Sequence, residues 1–161
     1  MISTNSIITL SNGQTKKAGD LTTKDKILTY DFYNKKVCVD FVSVIEDDLN
    51  EDNKIYEIKF INNIGITHTL TLKGDVLFNV DTLKWKFDER VSKNFCGINF
   101  MRSAEVLRDL EGHQCKVISV KEVEFLKDEM KFIKIIPKFN KCIFVNNMAI
   151  SCFLPKPYVG R

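Results

Sequence analysis

Apolar residues in this chain recur mainly at every second position, and that period limits the fold more than any other feature of the sequence. Val37, Val39 and Phe41 alternate strictly, and Ile55, Ile58 and Phe60 keep the alternation with one slip. A period of two sends successive side chains to opposite faces of an extended strand, whereas a helix face needs apolar residues three and four apart. Only 3 prolines and 7 glycines interrupt the pattern. Strands are therefore expected at residues 7–10, 26–30, 37–45, 55–61, 67–72, 76–80, 97–101, 114–125, 130–136, 142–145 and 148–152. Ser11-Asn12-Gly13 closes the first as a tight turn of the Asn-Gly kind, and a polar stretch follows to Leu21. The single candidate helix is 103–110, where Ala104, Val106, Leu107 and Leu110 fall partly on one face, but it is short. Many short strands with scattered turns imply an all-β sandwich or barrel-like fold.

With 161 residues, 44% of them hydrophobic, the chain can bury one sizeable core and hardly two. One domain is expected over residues 1–153, followed by an extended tail at 154–161 in which Pro155 and Pro157 bar a regular helix. The net charge of +3 comes from 24 basic and 21 acidic residues interspersed along the chain. No basic block is present to track a phosphate backbone, so nucleic acid is not an expected partner. The longest apolar runs, such as 76–78 and 143–145, are far short of the roughly 20 residues of a membrane span, and no basic stretch followed by an apolar one opens the chain. Neither a transmembrane segment nor an export signal is expected, and the compartment stays open. The 5 cysteines, Cys38, Cys96, Cys115, Cys142 and Cys152, include no CxxC pair and no zinc-finger spacing with His68 or His113. They read as small core hydrophobes rather than as a disulfide framework, with at least one thiol free. Both histidines read as strand-edge residues, so neither a cofactor nor a metal is called for.

Three segments carry a pattern of their own. Residues 1–13, Met-Ile-Ser-Thr-Asn-Ser-Ile-Ile-Thr-Leu-Ser-Asn-Gly, are followed by Lys16-Lys17, Asp20-Leu21, Asp25 and Ile27-Leu28. Leu70-Thr71-Leu72-Lys73-Gly74-Asp75-Val76-Leu77-Phe78 is the second segment, and Val145-Asn146-Asn147-Met148-Ala149-Ile150-Ser151-Cys152-Phe153 the third. Between the first two lies Phe41-Val42-Ser43-Val44-Ile45-Glu46. In this order the segments resemble the successive blocks of Hint domains, the autoprocessing modules of Hedgehog proteins and inteins. The closing block is similar to the Val-Asn-x-x-x-x-Ser-Cys-Tyr ending of the Hedgehog type, whereas inteins end in His-Asn. The resemblance covers nearly all of the chain except the tail.

The resemblance implies a Hint fold of pseudo-twofold, intertwined β-strands, and a domain that acts as a monomer on the upstream polypeptide of its own precursor. In such domains a thiol at the first residue attacks the preceding carbonyl, turning an amide into a thioester that a second nucleophile resolves. In the Hedgehog type that second nucleophile is a sterol, activated by a carboxylate. The register sets Met1 on the nucleophilic cysteine, Thr71 on the threonine of a Thr-x-x-His block and Gly74 on its histidine. Glu46 falls on the carboxylate, with Asp47 and Asp48 as near alternatives, and Cys152 is a thiol beside the site. Met1 has a thioether with no proton to lose, and Gly74 has no imidazole to protonate the departing amine. The chain as written is therefore expected to be inactive in thioester formation, and its short tail weighs against sterol transfer.

Each of these residues also has a plain structural reading. Thr71 suits a strand through its β-branch, residues 46–48 suit a solvated turn, and Cys152 suits a buried small position. At the level of the domain, the alternatives are a degenerate Hint scaffold that binds a partner without catalysis and an unrelated β binding module.

Overall fold

A computed structural model of the chain describes residues 1–31, 34, 36–48, 54–73, 77–79, 95–97, 106–124, 130–140 and 142–151. Its strands are β1 (Ile2–Ser3), β2 (Ile7–Thr9), β3 (Thr15–Lys17), β4 (Lys26–Asp31), β5 (Lys36–Asp47), β6 (Ile55–Asn62) and β7 (Thr67–Lys73). They continue as β8 (Leu77–Asn79), β9 (Phe95–Gly97), β10 (Val106–Arg108), β11 (Gln114–Val123), β12 (Phe132–Pro137), β13 (Cys142–Val145) and β14 (Met148–Ser151). A single 3-10 turn at Ala18–Asp20 is the one helical element among the described residues. The all-β expectation holds, and the alternating segments at 26–30, 55–61, 67–72 and 142–145 match β4, β6, β7 and β13 to within one residue.

The strands join in one continuous antiparallel path, β10-β11-β6-β7-β1-β12-β5-β4-β13-β14-β8-β9, with β2 bridging β13 and β3 off it. The long strand β5 makes this path turn. Its first half pairs with β4 (Lys36 opposite Asp31, Phe41 opposite Lys26), and its second half pairs with β12 (Val42 opposite Pro137, Asp47 opposite Ile133). One strand thus serves two neighbours in succession, which a flat sheet cannot do. The register of β11 with β6 shifts between Val117 and Ser119, the local signature of a bulge.

Alternation decides what is buried. On β6 and β7, Ile58, Phe60, Leu70 and Leu72 are fully buried, and they join Ile2, Ile8, Ile27, Val42, Ile133, Ile135 and Val145 in one core. A smaller cluster of Tyr30, Cys142, Phe144 and Ala149 lies beside it, with the rings of Tyr30 and Phe144 edge to face at 6.4 Å. Cys115 and Cys142 are buried, and Cys38 is half-buried. Buried Asp40 is satisfied by backbone donors. Its Oδ1 accepts from the Phe41 N–H at 2.7 Å, and its Oδ2 accepts from those of Phe139 at 2.9 Å and Asn140 at 2.8 Å.

Two departures from the sequence reading have physical causes. The polar stretch after Asn12-Gly13 is strand β3, whose exposed lysines are tolerated because β3 lies at an edge and pairs only with β2. The candidate helix at 103–110 is, over Val106–Arg108, a strand paired antiparallel with residues 114–116 of β11. A short amphipathic run has too little helix cooperativity to resist such a ladder, and 103–105 lie outside the described residues. His68 pairs with Phe60 of β6, and β1 reaches β7 only at Leu72.

Candidate functional site

The two residues of β1 decide where the chain's first residue sits. Ile2 is opposite Leu72 on β7 and Ile133 on β12, so β1 is wedged between two longer strands. The ladder runs one residue further back. The Met1 α-amino group donates to the Lys73 carbonyl at 3.1 Å, and the Lys73 N–H donates to the Met1 carbonyl at 2.9 Å. This reciprocal pair fixes the peptide at Met1 against the end of β7.

Lys73 is buried, an unusual place for an ammonium. Its Nζ lies 3.5 Å from Asp48 Oδ2, with the two side chains only 11% and 5% exposed. It also lies 5.7 Å from the centre of the Phe132 ring, within cation–π range. Asp48 follows the end of β5, where its N–H donates to the Phe132 carbonyl at 2.9 Å, and Phe132 pairs with Ser3 on β1. Three segments distant in sequence therefore meet at the Lys73 side chain: the end of β7, the end of β5 and the start of β12.

Thr71 is half-buried on β7 opposite Glu57. It precedes Lys73 by two positions and so shares its face of the strand. Glu46 is exposed and faces Lys134 in the β5–β12 ladder, and Asp47 is exposed too, so Asp48 is the carboxylate of this acidic run that reaches the interior. Gly74 and Cys152 lie outside the described residues. Lys73 was not singled out in the sequence, although a lysine between a buried leucine and a glycine at a strand end is a legible irregularity.

The closing block has a structural duty. Asn146 and Asn147 have positive φ of 47° and 67° and form the two-residue turn between β13 and β14, the left-handed pair that hairpins of this type require. The Asn146 amide then ties three elements together. Its Oδ1 accepts from the Ile7 N–H and its Nδ2 donates to the Thr69 carbonyl, each at 2.7 Å.

A second cluster of ionisable groups lies near the start of β7, where His68 and His113 converge on buried Asp109. His68 and Lys73 are at opposite ends of the strand, so the histidine does not take the place of a group beside Met1.

No protein-family model and no curated protein matches the sequence. Solved structures do. A DnaB intein from Synechocystis sp. superposes with a TM-score of 0.71 at 12% identity, over 95% of this chain and 98% of that one. A bacterial intein-like domain from Clostridium thermocellum gives 0.68 at 13% identity, over 94% and 98%. A DnaX mini-intein from Spirulina platensis gives 0.66 at 12% identity, over 93% and 98%. The chain has the all-β Hint fold of intein-like autoprocessing domains, and at such identities the likeness is one of fold.

Proposed function

We propose that this chain is a Hedgehog-like domain of the protein self-processing class, oriented toward the polypeptide on its own N-terminal side, and that the sequence as written has lost the thioester step. The placement of Met1 carries this reading. Its backbone exchanges two hydrogen bonds with buried Lys73 at the end of β7, directly before the β1 residues that pair with β7 and β12, at the position where the resemblance sets the nucleophile. Self-processing begins when a thiolate at that residue attacks the preceding carbonyl carbon. A carbon–sulfur bond forms, the carbon–nitrogen bond breaks, and the amine takes up a proton. The Met1 sulfur already bears two carbons and has no proton to release. Gly74, at the position of the family's histidine, has no side chain that donates one.

The rest of the site keeps groups suited to the chemistry. Thr71 can hold the peptide, and the Lys73 ammonium is a proton donor next to it. Asp48 takes the carboxylate role better than Glu46, because it is the buried member of the run and lies against Lys73. Cys152 is retained as the thiol that exchanges with a nucleophile at residue 1. A sterol or water would be the final acyl acceptor in a relative with a complete site.

A reporter protein fused upstream tests the reading, with the junction peptide leading into Met1 or into Met1→Cys, in buffer with and without dithiothreitol. The Met1 fusion is expected to stay whole and the Met1→Cys fusion to release the reporter when dithiothreitol intercepts the thioester. A folded fusion that stays whole even with Met1→Cys and Gly74→His combined would overturn the processing reading. It would leave a degenerate Hint scaffold that binds a partner, a second reading favoured by the way the Lys73–Asp48 pair already neutralises the interior of the site.

A further inference from the structure

We propose that His68, Asp109, Glu111 and His113 form a binding site for a divalent transition metal of the zinc type, at the end of β7 away from Met1. Asp109 Oδ2 lies 3.2 Å from His113 Nδ1 and 4.0 Å from His68 Nε2, and Glu111 Oε2 lies 3.5 Å from the same His113 nitrogen. The donor atoms of Asp109, Glu111 and His113 all lie within 4.8 Å of one another. Four ligands at about 2.0–2.2 Å around tetrahedral zinc are separated from each other by roughly 3.3–3.5 Å. The spacings among Asp109, Glu111 and His113 fit that value, and His68, outside this mutually close group of three, would close on the ion from its place beside Asp109.

His68 distinguishes this cluster from a surface group of acids. Its side chain is 13% exposed, and its Nε2 is buried and has no hydrogen-bond partner. At 4.0 Å from the Asp109 oxygen it is too far for a hydrogen bond. The same separation suits two ligands of one ion. Leaving a ring nitrogen buried without a partner is destabilising, and a shared metal removes that cost.

The surroundings favour the assignment. The Asp109 Oδ1 accepts from the His113 N–H at 2.8 Å, which orients the carboxylate and turns Oδ2 toward the two imidazoles. Leu110 N–H donates to the Asn147 carbonyl at 2.7 Å, holding the turn between β10 and β11 against the β13–β14 hairpin. Glu111 is 63% exposed and His113 30%, so an ion has a way in from solvent. Two imidazoles and two carboxylates suit zinc, whereas magnesium and calcium prefer six or more oxygen ligands. The ion would tie the β10–β11 turn to β7 across β6, which lies between β11 and β7 in the sheet.

The test uses the full chain, stripped with a chelator and titrated with cobalt(II) as a visible probe, then with zinc. One cobalt per chain is expected, with the strong visible bands of a four-coordinate nitrogen and oxygen site and no thiolate charge-transfer band, followed by displacement by zinc. Zinc is also expected to raise the melting temperature, and His68→Ala and His113→Ala each to weaken zinc binding by about 100-fold or more. Absence of the cobalt spectrum in the folded chain overturns the proposal, as does a thiolate band, which would place the metal on a cysteine. Zinc binding unchanged in either variant overturns it as well. If His68→Ala fails to fold, His113→Gln, at the more exposed ligand, supplies the same comparison.

Discussion

Strand β7 carries two different clusters of ionisable side chains at its two ends, and the contrast between them shows how one strand can hold two unlike carboxylate settings. At one end, Lys73 meets Asp48 beside Met1 in a setting that also includes the Phe132 ring. At the other, roughly 17 Å away by the rise of an extended chain, His68 faces Asp109 and His113. Both ends bury a carboxylate against a basic side chain, but the basic groups differ. An ammonium offers only N–H donors and pairs with the carboxylate as a unit, whereas an imidazole nitrogen can share a carboxylate with a metal ion. Buried Asp40, satisfied by three backbone N–H groups, is a third case in which the carboxylate serves structure alone.

The largest effect is expected at the Lys73 end. Lys73→Met removes the ammonium and leaves the Asp48 carboxylate buried without it, which costs about 3–5 kcal/mol in urea unfolding. Replacing both groups, as in Lys73→Met with Asp48→Leu, should recover most of that loss. If the double variant is as unstable as the single one, the two side chains are not acting as a pair. In a Met1→Cys fusion the same Lys73→Met change should also slow reporter release, provided the domain remains folded at the assay temperature.

A smaller effect is expected near the opposite end, where Asn146 clamps β2 and β7. Asn146→Ala loses two side-chain hydrogen bonds and places alanine at positive φ, a cost of about 2 kcal/mol by the same unfolding measurement. Asn146→Gly relieves the backbone strain but not the lost bonds, so it should fall between the wild type and alanine. An alanine variant as stable as the wild type would mean that the closing block has its residue pattern without holding the fold.

Glu46→Gln is the control that sharpens the division. Its side chain is exposed, so it should change stability by less than about 0.5 kcal/mol, and it should leave reporter release from the Met1→Cys fusion unchanged while Asp48→Asn lowers it. The reverse order would return the carboxylate role to Glu46.

The smallest effect is a pH dependence unrelated to either end of β7. The Thr22 backbone N–H, and after it the Lys16 ammonium, hold the Asp25 carboxyl below its ordinary value of 3.8. A carboxylate with a lowered folded pKa adds stability above its unfolded value, and that stability is lost as pH falls from about 4 through the folded value. Asp25→Asn should therefore flatten the stability profile in that acidic window and leave it unchanged near neutrality, as acid titration of the unfolding midpoint would show.

The sequence by itself determined the class of structure. Alternating apolar residues such as Val37-Val39-Phe41 and the buried positions of β6 and β7 report a local property, the period of an extended strand, and local properties can be read along a chain. Turn chemistry was legible for the same reason at Asn12-Gly13, where Gly13 has a φ of 85°. Short or polar strands were not. β1 and β3 carry too few apolar residues to show a period, and they exist because neighbouring strands offer them a ladder.

The sites were legible only in part. Met1 and Thr71 were read from the order of the blocks, and the acidic run at 46–48 was located without deciding which carboxylate turns inward. Only the tertiary structure put Asp48 rather than Glu46 against Lys73, because that depends on where β5 ends relative to β12. Only the tertiary structure brought His68 to Asp109 and His113, since pairing across β6 places β7 near the β10–β11 turn. Strand pairing is settled by burial summed over the whole sheet, and no window of sequence contains that sum.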